Sequence, residues 1–142
     1  MSNTLYDQDF YAWANEQAAL LRAGRFGEID VENVAEEIES MGRSQKSELV
    51  NRLAVLLTHL LKWRYQPGFR SKSWRLTIAE QRFQIERHLR DNPSLKSHLA
   101  EPIADGYRLA RLKAERETGL ESFPDACPFS FDEAMDDGFW PD

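Results

Sequence analysis

Apolar residues recur along this chain at the period of an α-helix, and no stretch alternates apolar and polar residues as a half-buried strand does. Asp7 can cap a first helix, whose pattern stops near Gly24. The residues that share one face of this helix are Phe10, Trp13, Gln17, Leu20 and Leu21. We therefore predict an amphipathic helix over this stretch.

Two further helices are predicted on either side of Gly42, because glycine favours the position just after a helix. Asp30 can cap the second helix, and Ser44 can cap the third, which should end before Pro67. The second helix carries an apolar stripe of Val31, Val34, Ala35, Ile38 and Met41. We expect Val34, Ala35 and Ile38 to face the core. The third helix carries a stripe of Leu49, Leu53, Leu56, Leu60 and Trp63.

The remainder of the chain predicts two more helices. Residues 66–73 hold turn residues without periodicity and indicate a loop, after which Ser71 or Ser73 can cap a fourth helix. A fifth helix is predicted over about residues 94–118, with Pro102 inside it. Proline removes a backbone donor, so either this helix kinks or a short helix precedes another that starts near Pro102; we favour the kink.

Residues 119–142 are rich in proline and aspartate but contain five aromatic side chains, which is unusual for a disordered tail. Ser130 and Glu133 have the spacing of a capping box. We predict an irregular C-terminal segment that lies across the helices. The predicted fold is all-α: residues 1–142 form one domain, a bundle of about five helices with this segment packed on it.

Composition narrows the class of protein. A chain of 142 residues fits one domain, and no apolar run approaches the ~20 residues of a membrane span. The first residues do not resemble a secretory signal, and the single cysteine, Cys127, cannot form an intrachain disulfide. We expect a cytoplasmic protein that does not enter a membrane.

The net charge of −6 hides an uneven distribution along the chain. Residues 1–41 hold nine acids and two bases, residues 42–79 hold one acid and eight bases, and residues 119–142 hold seven acids and no base. Within the basic stretch, cations alternate with aromatic residues around the predicted loop. The candidate binding residues are Lys62, Trp63, Arg64, Arg70, Lys72, Trp74 and Arg75.

Two interpretations of this basic aromatic loop compete. It can contact a partner, and a nucleic acid is one candidate, since such surfaces grip phosphates and stack bases. It can instead be neutralised by the acidic segments of the same chain, with Trp63 and Trp74 in the core. The sequence pI of about 5.1 argues against a dedicated nucleic-acid binder. We expect an unidentified protein partner or a homo-oligomer.

An enzyme is the alternative class. Its site would join Glu36 or Glu37 to His59, Arg75 or Arg82 across the helices. A hairpin turning near residue 43 would pair His59 with position 27, away from the glutamates. No metal-ligand spacing, nucleophile motif or phosphate-binding glycine loop is present, so no catalytic residue, metal or cofactor is assigned.

Several strings resemble a bacterial family known as domain of unknown function number 29. They include Tyr6-Asp7-Gln8-Asp9-Phe10, Leu21-Arg22-Ala23-Gly24-Arg25-Phe26, Glu36-Glu37-Ile38-Glu39-Ser40-Met41-Gly42, His59-Leu60-Leu61-Lys62-Trp63, Thr118-Gly119-Leu120 and Phe123-Pro124. The resemblance covers nearly the whole chain. It implies a bacterial helical domain and supplies no catalytic residue, cofactor or partner.

Overall fold

A computed structural model describes residues 4–142, which are helical with irregular connections and contain no strand; the all-α class is confirmed. The α-helices are α1 (Leu5–Gln8), α2 (Phe10–Arg22), α3 (Val31–Tyr65), α4 (Lys72–Asp91), α5 (Ala100–Thr118) and α6 (Phe131–Met135). Short 3-10 helices occupy Phe26–Glu28, Pro67–Phe69 and Pro93–His98. Backbone contacts group into two compact units, Met1–Ser44 and Gln45–Asp142, and the single domain stays a prediction.

The predicted break at Gly42 is wrong, because α3 is one continuous helix of 35 residues that includes Gly42. Among the described glycines, only Gly24 and Gly119 have a positive φ, so Gly42 does not act as a helix terminator. A glycine inside a helix costs only about 1 kcal/mol relative to alanine, which a long helix tolerates. Ser44 is therefore an interior residue of α3, and the hairpin near residue 43 does not form.

The first unit is organised around Asp30, which caps α3 as predicted. Its Oδ1 accepts the backbone N–H of Asn33 at 3.4 Å, and its Oδ2 accepts the indole N–H of Trp13 at 3.0 Å. Its own backbone N–H donates to Gln17 Oε1 at 2.8 Å. Hydrogen bonds from Asn33, and then from Trp13, lower the pKa of the Asp30 carboxyl.

The cap of the first long helix differs from the prediction. Asp9, not Asp7, caps α2 by accepting the N–H of Ala12 at 3.0 Å. The reason is a short preceding helix, α1, which contains Asp7. There the Asp7 carboxylate accepts a hydrogen bond from the hydroxyl of Thr4.

The expected burial of the second apolar stripe is also wrong. Val34 is half-buried, whereas Ala35 and Ile38 are exposed. The first part of α3 meets α1 and α2 through polar pairs such as Tyr6 with Glu37, so its apolar stripe lies beside this polar contact and not within it. Among described residues of this unit only Trp13 and Gln17 are buried.

The second unit holds the apolar core. α3 supplies Leu49, Leu53, Leu56, Leu57, Leu60 and Leu61, and α4 supplies Ile78, Ile85 and Leu89. As predicted, α3 ends before Pro67, and Ser71 caps α4 through Trp74 N–H. The favoured kink at Pro102 is wrong. A 3-10 helix precedes α5, which begins at Ala100, so Pro102 lies in the first turn, where backbone N–H groups have no helical acceptor.

The C-terminal segment packs on the second unit as predicted. Phe123 and Phe129 are buried in the core cluster, and Phe139 and Trp140 lie against it. Ser130 and Glu133 form the predicted capping box at the start of α6. Arg82 of α4 binds this segment through two hydrogen bonds. Its Nε donates to Ala134 O and its Nη2 donates to Phe139 O, both at 2.7 Å.

Candidate functional site

Part of the basic aromatic loop is internal scaffold. The Lys62 side chain is buried, and its Nζ donates to Glu117 Oε1 at 2.7 Å while lying 4.8 Å from the centre of the half-buried Trp74 ring. This hydrogen bond lowers the pKa of the Glu117 carboxyl. Lys62 is thus neutralised within the second unit, but its partner Glu117 lies outside the two acidic segments.

Trp63 and Arg70 hold the C-terminal segment. The rings of Trp63 and Trp140 have centroids 4.9 Å apart, and the Arg70 guanidinium lies 5.2 Å from the Trp63 ring. Arg70 also donates to Trp63 O at 2.8 Å and to Pro141 O at 3.1 Å. The chain's own C-terminal segment therefore contacts Trp63 and Arg70, two of the predicted binding residues.

Three cations of the loop remain available at the surface. The side chains of Arg64, Lys72 and Arg75 are exposed and make no hydrogen bond or ion pair with any of residues 4–142. Arg64 lies 5.9 Å from the ring of its neighbour Tyr65, and Phe69 at the tip of the loop is 68% exposed. The basic aromatic loop therefore divides into an internal half and an exposed half.

Apart from Arg75, the residues proposed for an enzyme site each bond to other partners. They are Glu36, Glu37, His59 and Arg82. Glu36 pairs with Arg43 at 2.8 Å, and Glu37 accepts the Tyr6 hydroxyl at 2.5 Å, which raises the pKa of Tyr6 to about 12. His59 lies in the other unit, where its Nδ1 donates to Val55 O at 2.8 Å and burial lowers its pKa. Arg82, also in the second unit, binds the two carbonyl oxygens of the C-terminal segment.

A different Glu/Arg/His cluster lies between α3 and α4. Glu48 Oε2 accepts from Arg52 Nε at 3.0 Å and lies 3.6 Å from Nδ1 of the buried His88. The Nε2 of His88 donates to Gln45 O at 2.8 Å, because a carbonyl oxygen can only accept. This cluster borders a cleft of about 430 Å³ whose other lining residues are Gln84, Arg87, Asp91 and Asn92.

Sequence reasoning missed this cluster, although signals for it exist. Glu48 and Arg52 have i, i+4 spacing on one helix, and His88 comes three residues after Ile85 on the buried face of α4. Glu48 accepts from Arg52, and His88 bonds to the carbonyl oxygen of Gln45, which fits a structural pairing of two helices. Residues 4–142 also contain no group of three metal-ligating side chains.

The first unit presents an unexpected apolar surface. Val31, Ile38 and Met41 of α3 are 63%, 59% and 61% exposed. Glu32 and Glu39 each follow an apolar residue of the stripe and so lie about 100° around the helix from it, which places both glutamates along one side of the stripe. Neither carboxylate is paired within the described chain. We call these five residues the acidic face.

A second exposed apolar surface lies on α4. Leu76 and Phe83 are 54% and 56% exposed and seven residues apart, which places them on one side of the helix. Lys72 and Arg75 lie beside Leu76, and Arg87 lies one turn beyond Phe83. Within the part of the chain that the structure describes, these three cations are unpaired. We call these five residues the basic face.

These features define an all-helical protein that carries two exposed apolar faces of opposite charge. The family model described as "Domain of unknown function DUF29" matches residues 5–140, so the chain belongs to that family, as the sequence resemblance predicted. No curated protein and no solved structure matches the chain. Among residues 4–142, none of the helices has the length and apolar content needed to cross a membrane.

Proposed function

We propose that this protein is a non-catalytic, cytoplasmic interaction module that contacts its partner through the acidic face. The observation that carries the proposal is the exposure of Val31, Ile38 and Met41 on a unit that buries only Trp13 and Gln17 of its described residues. Exposed apolar residues grouped on one surface are typical of interaction sites. The sequence alone predicts instead that this stripe faces the core and that the contact lies at residues 62–75.

The size of the first unit supports this assignment. Domains of about 40 residues usually need a disulfide, a metal or association with another surface to be stable. Residues 1–44 contain neither cysteine nor histidine, so disulfide and histidine-based metal sites are excluded by composition. Association with another surface would bury more of its apolar side chains.

A photo-crosslinking residue at position 38 tests the proposal in cells that make the full chain. We expect a covalent adduct from position 38 and none from a matched control at Leu112, which is 50% exposed on α5. The variant Ile38→Glu should lose partner capture and keep its stability within about 0.5 kcal/mol, because exposed positions tolerate substitution. Equal adducts at both positions, or none at position 38, would refute the proposal.

The exposed half of the basic aromatic loop supports a second candidate, single-stranded nucleic acid. Phe69 offers an exposed ring for a base, and Arg64, Lys72 and Arg75 offer unpaired cations for phosphates. Binding of a labelled single-stranded oligonucleotide should then weaken steeply with salt and with Phe69→Ala. Absence of binding at low salt would dismiss this candidate.

A further inference from the structure

The acidic face and the basic face share a geometry that allows them to fit each other. Each is built on a pair of apolar residues seven positions apart on one helix, Val31 with Ile38 and Leu76 with Phe83. Seven residues of α-helix advance about 10.5 Å, so the two apolar pairs have the same repeat and two such helices can pack side by side.

The charges around the two apolar pairs are opposite. The acidic face has Glu32 and Glu39 along one side of Val31 and Ile38. It lies in a unit whose residues 1–44 carry nine acids and three bases, a net charge of −6. The carboxylates of Glu32 and Glu39 make no hydrogen bond or ion pair with the described residues. Contact with a surface of the same kind would therefore be opposed by repulsion, and contact with a cationic apolar surface would be favoured.

The basic face has the complementary arrangement. Lys72 and Arg75 stand at one end of its apolar pair and Arg87 at the other, and one unpaired acid, Glu80, lies between them. The exposed side chains around Leu76 and Phe83 thus have a net charge of +2. Opposite charges on two apolar helix surfaces both steer the encounter and fix which surfaces meet.

We propose that the partner recognised by the acidic face is the basic face of a second copy of this chain. Each copy carries both faces, so the acidic face of either copy can contact the basic face of the other. This inference rests on the proposed function and adds the identity of the partner. It also assigns a use to the unpaired cations of α4.

A charge-swap experiment on the full chain tests the inference. The acidic-face variant is Glu32→Lys with Glu39→Lys, and the basic-face variant is Lys72→Glu with Arg75→Glu. Light scattering after size exclusion should show a dimer for the unmodified chain. Each variant alone should dissociate, with a dissociation constant at least ~10-fold higher, equivalent to about 1.4 kcal/mol. An equimolar mixture of the two variants should recover the dimer, with one copy of each.

Recovery on mixing is specific to this arrangement. In the mixed dimer, the swapped acidic face meets the swapped basic face, and the two unmodified faces meet each other. A matched control for the basic-face variant, Lys96→Glu with Arg116→Glu, makes the same change in net charge at exposed, unpaired positions and should leave the dimer intact. Circular dichroism of each variant verifies that the helices are retained.

Two results would overturn the inference. One is an unmodified chain that stays monomeric over the whole concentration range, and the other is a mixture that remains as dissociated as its components. If position 38 still crosslinks to a different protein in cells, the proposed interaction function stands and only the identity of the partner is wrong. If position 38 gives no adduct at all, both fail.

Discussion

The continuity of α3 through Gly42 predicts that alanine at this position stabilises the protein. No atom lies within 4 Å of a Cβ built on Gly42, and its φ is not positive. Gly42→Ala therefore adds a methyl group without a clash and gains the difference in helix propensity. The expected gain in the free energy of unfolding is about 1 kcal/mol.

The same substitution at Gly106 should have a less favourable or opposite effect. Gly106 is buried in α5, where a new Cβ would lie 3.0 Å from the Cβ of Leu53 and 3.3 Å from the carbonyl oxygen of Val50. The propensity gain of about 1 kcal/mol remains, but forcing two packed helices apart costs about 1–3 kcal/mol. Gly106→Ala should therefore lower the free energy of unfolding by between zero and about 2 kcal/mol.

Urea unfolding followed by circular dichroism at constant protein concentration measures both variants. The difference between them isolates the packing cost at Gly106, because the two substitutions are chemically identical. Destabilisation by Gly42→Ala would contradict a continuous helix and favour the turn that the sequence suggested. Stabilisation by Gly106→Ala equal to that of Gly42→Ala would contradict the close contact between α3 and α5.

Three further predictions concern the second unit. Arg82→Lys keeps the charge but cannot donate to two carbonyl oxygens in the same geometry, so the unfolding free energy should fall by about 2 kcal/mol and proteolysis of residues 119–142 should accelerate. The control Arg108→Lys, at an exposed, unpaired site on α5, should do neither. Burial lowers the pKa of His59, so the unfolded chain takes up its proton first as pH falls below about 6.5. The stability of the unmodified chain relative to His59→Gln should accordingly decline from pH 7 to pH 5, and a constant difference would refute the burial argument. Ser130→Ala removes the acceptor for Glu133 N–H and should cost about 1 kcal/mol, whereas an unchanged melting temperature would show that the capping box adds no stability.

Local chemistry made much of the helical pattern predictable from sequence. Asp30 and Ser71 were recognisable as caps because their side chains accept backbone N–H groups that have no helical partner. The capping box of Ser130 depends on residues three positions apart, so it is also visible in the sequence. Pro67 marks the end of α3 because the residue before proline disfavours the helical conformation.

The candidate site depended on contacts between distant residues, which periodicity does not reveal. Lys62 and Arg70 belong to a basic run in the sequence, yet their partners Glu117 and Pro141 lie more than fifty residues away, and Arg64 in the same run has no ionic partner among residues 4–142. Glu48 and the buried His88 likewise approach each other only because α3 and α4 meet.

The sequence by itself determined the helical class, most helix ends and the apolar stripes, because these follow from interactions within a few residues. Only the tertiary structure decided which stripes are buried. The Leu49–Leu61 stripe meets α4, α5 and the C-terminal segment, whereas Val31 and Ile38 are exposed because the α1 and α2 contacts of that part of α3 are polar. Gly42 shows the same limit at the level of the backbone: its propensity favours a break by about 1 kcal/mol, and a continuous helix of 35 residues overrides it.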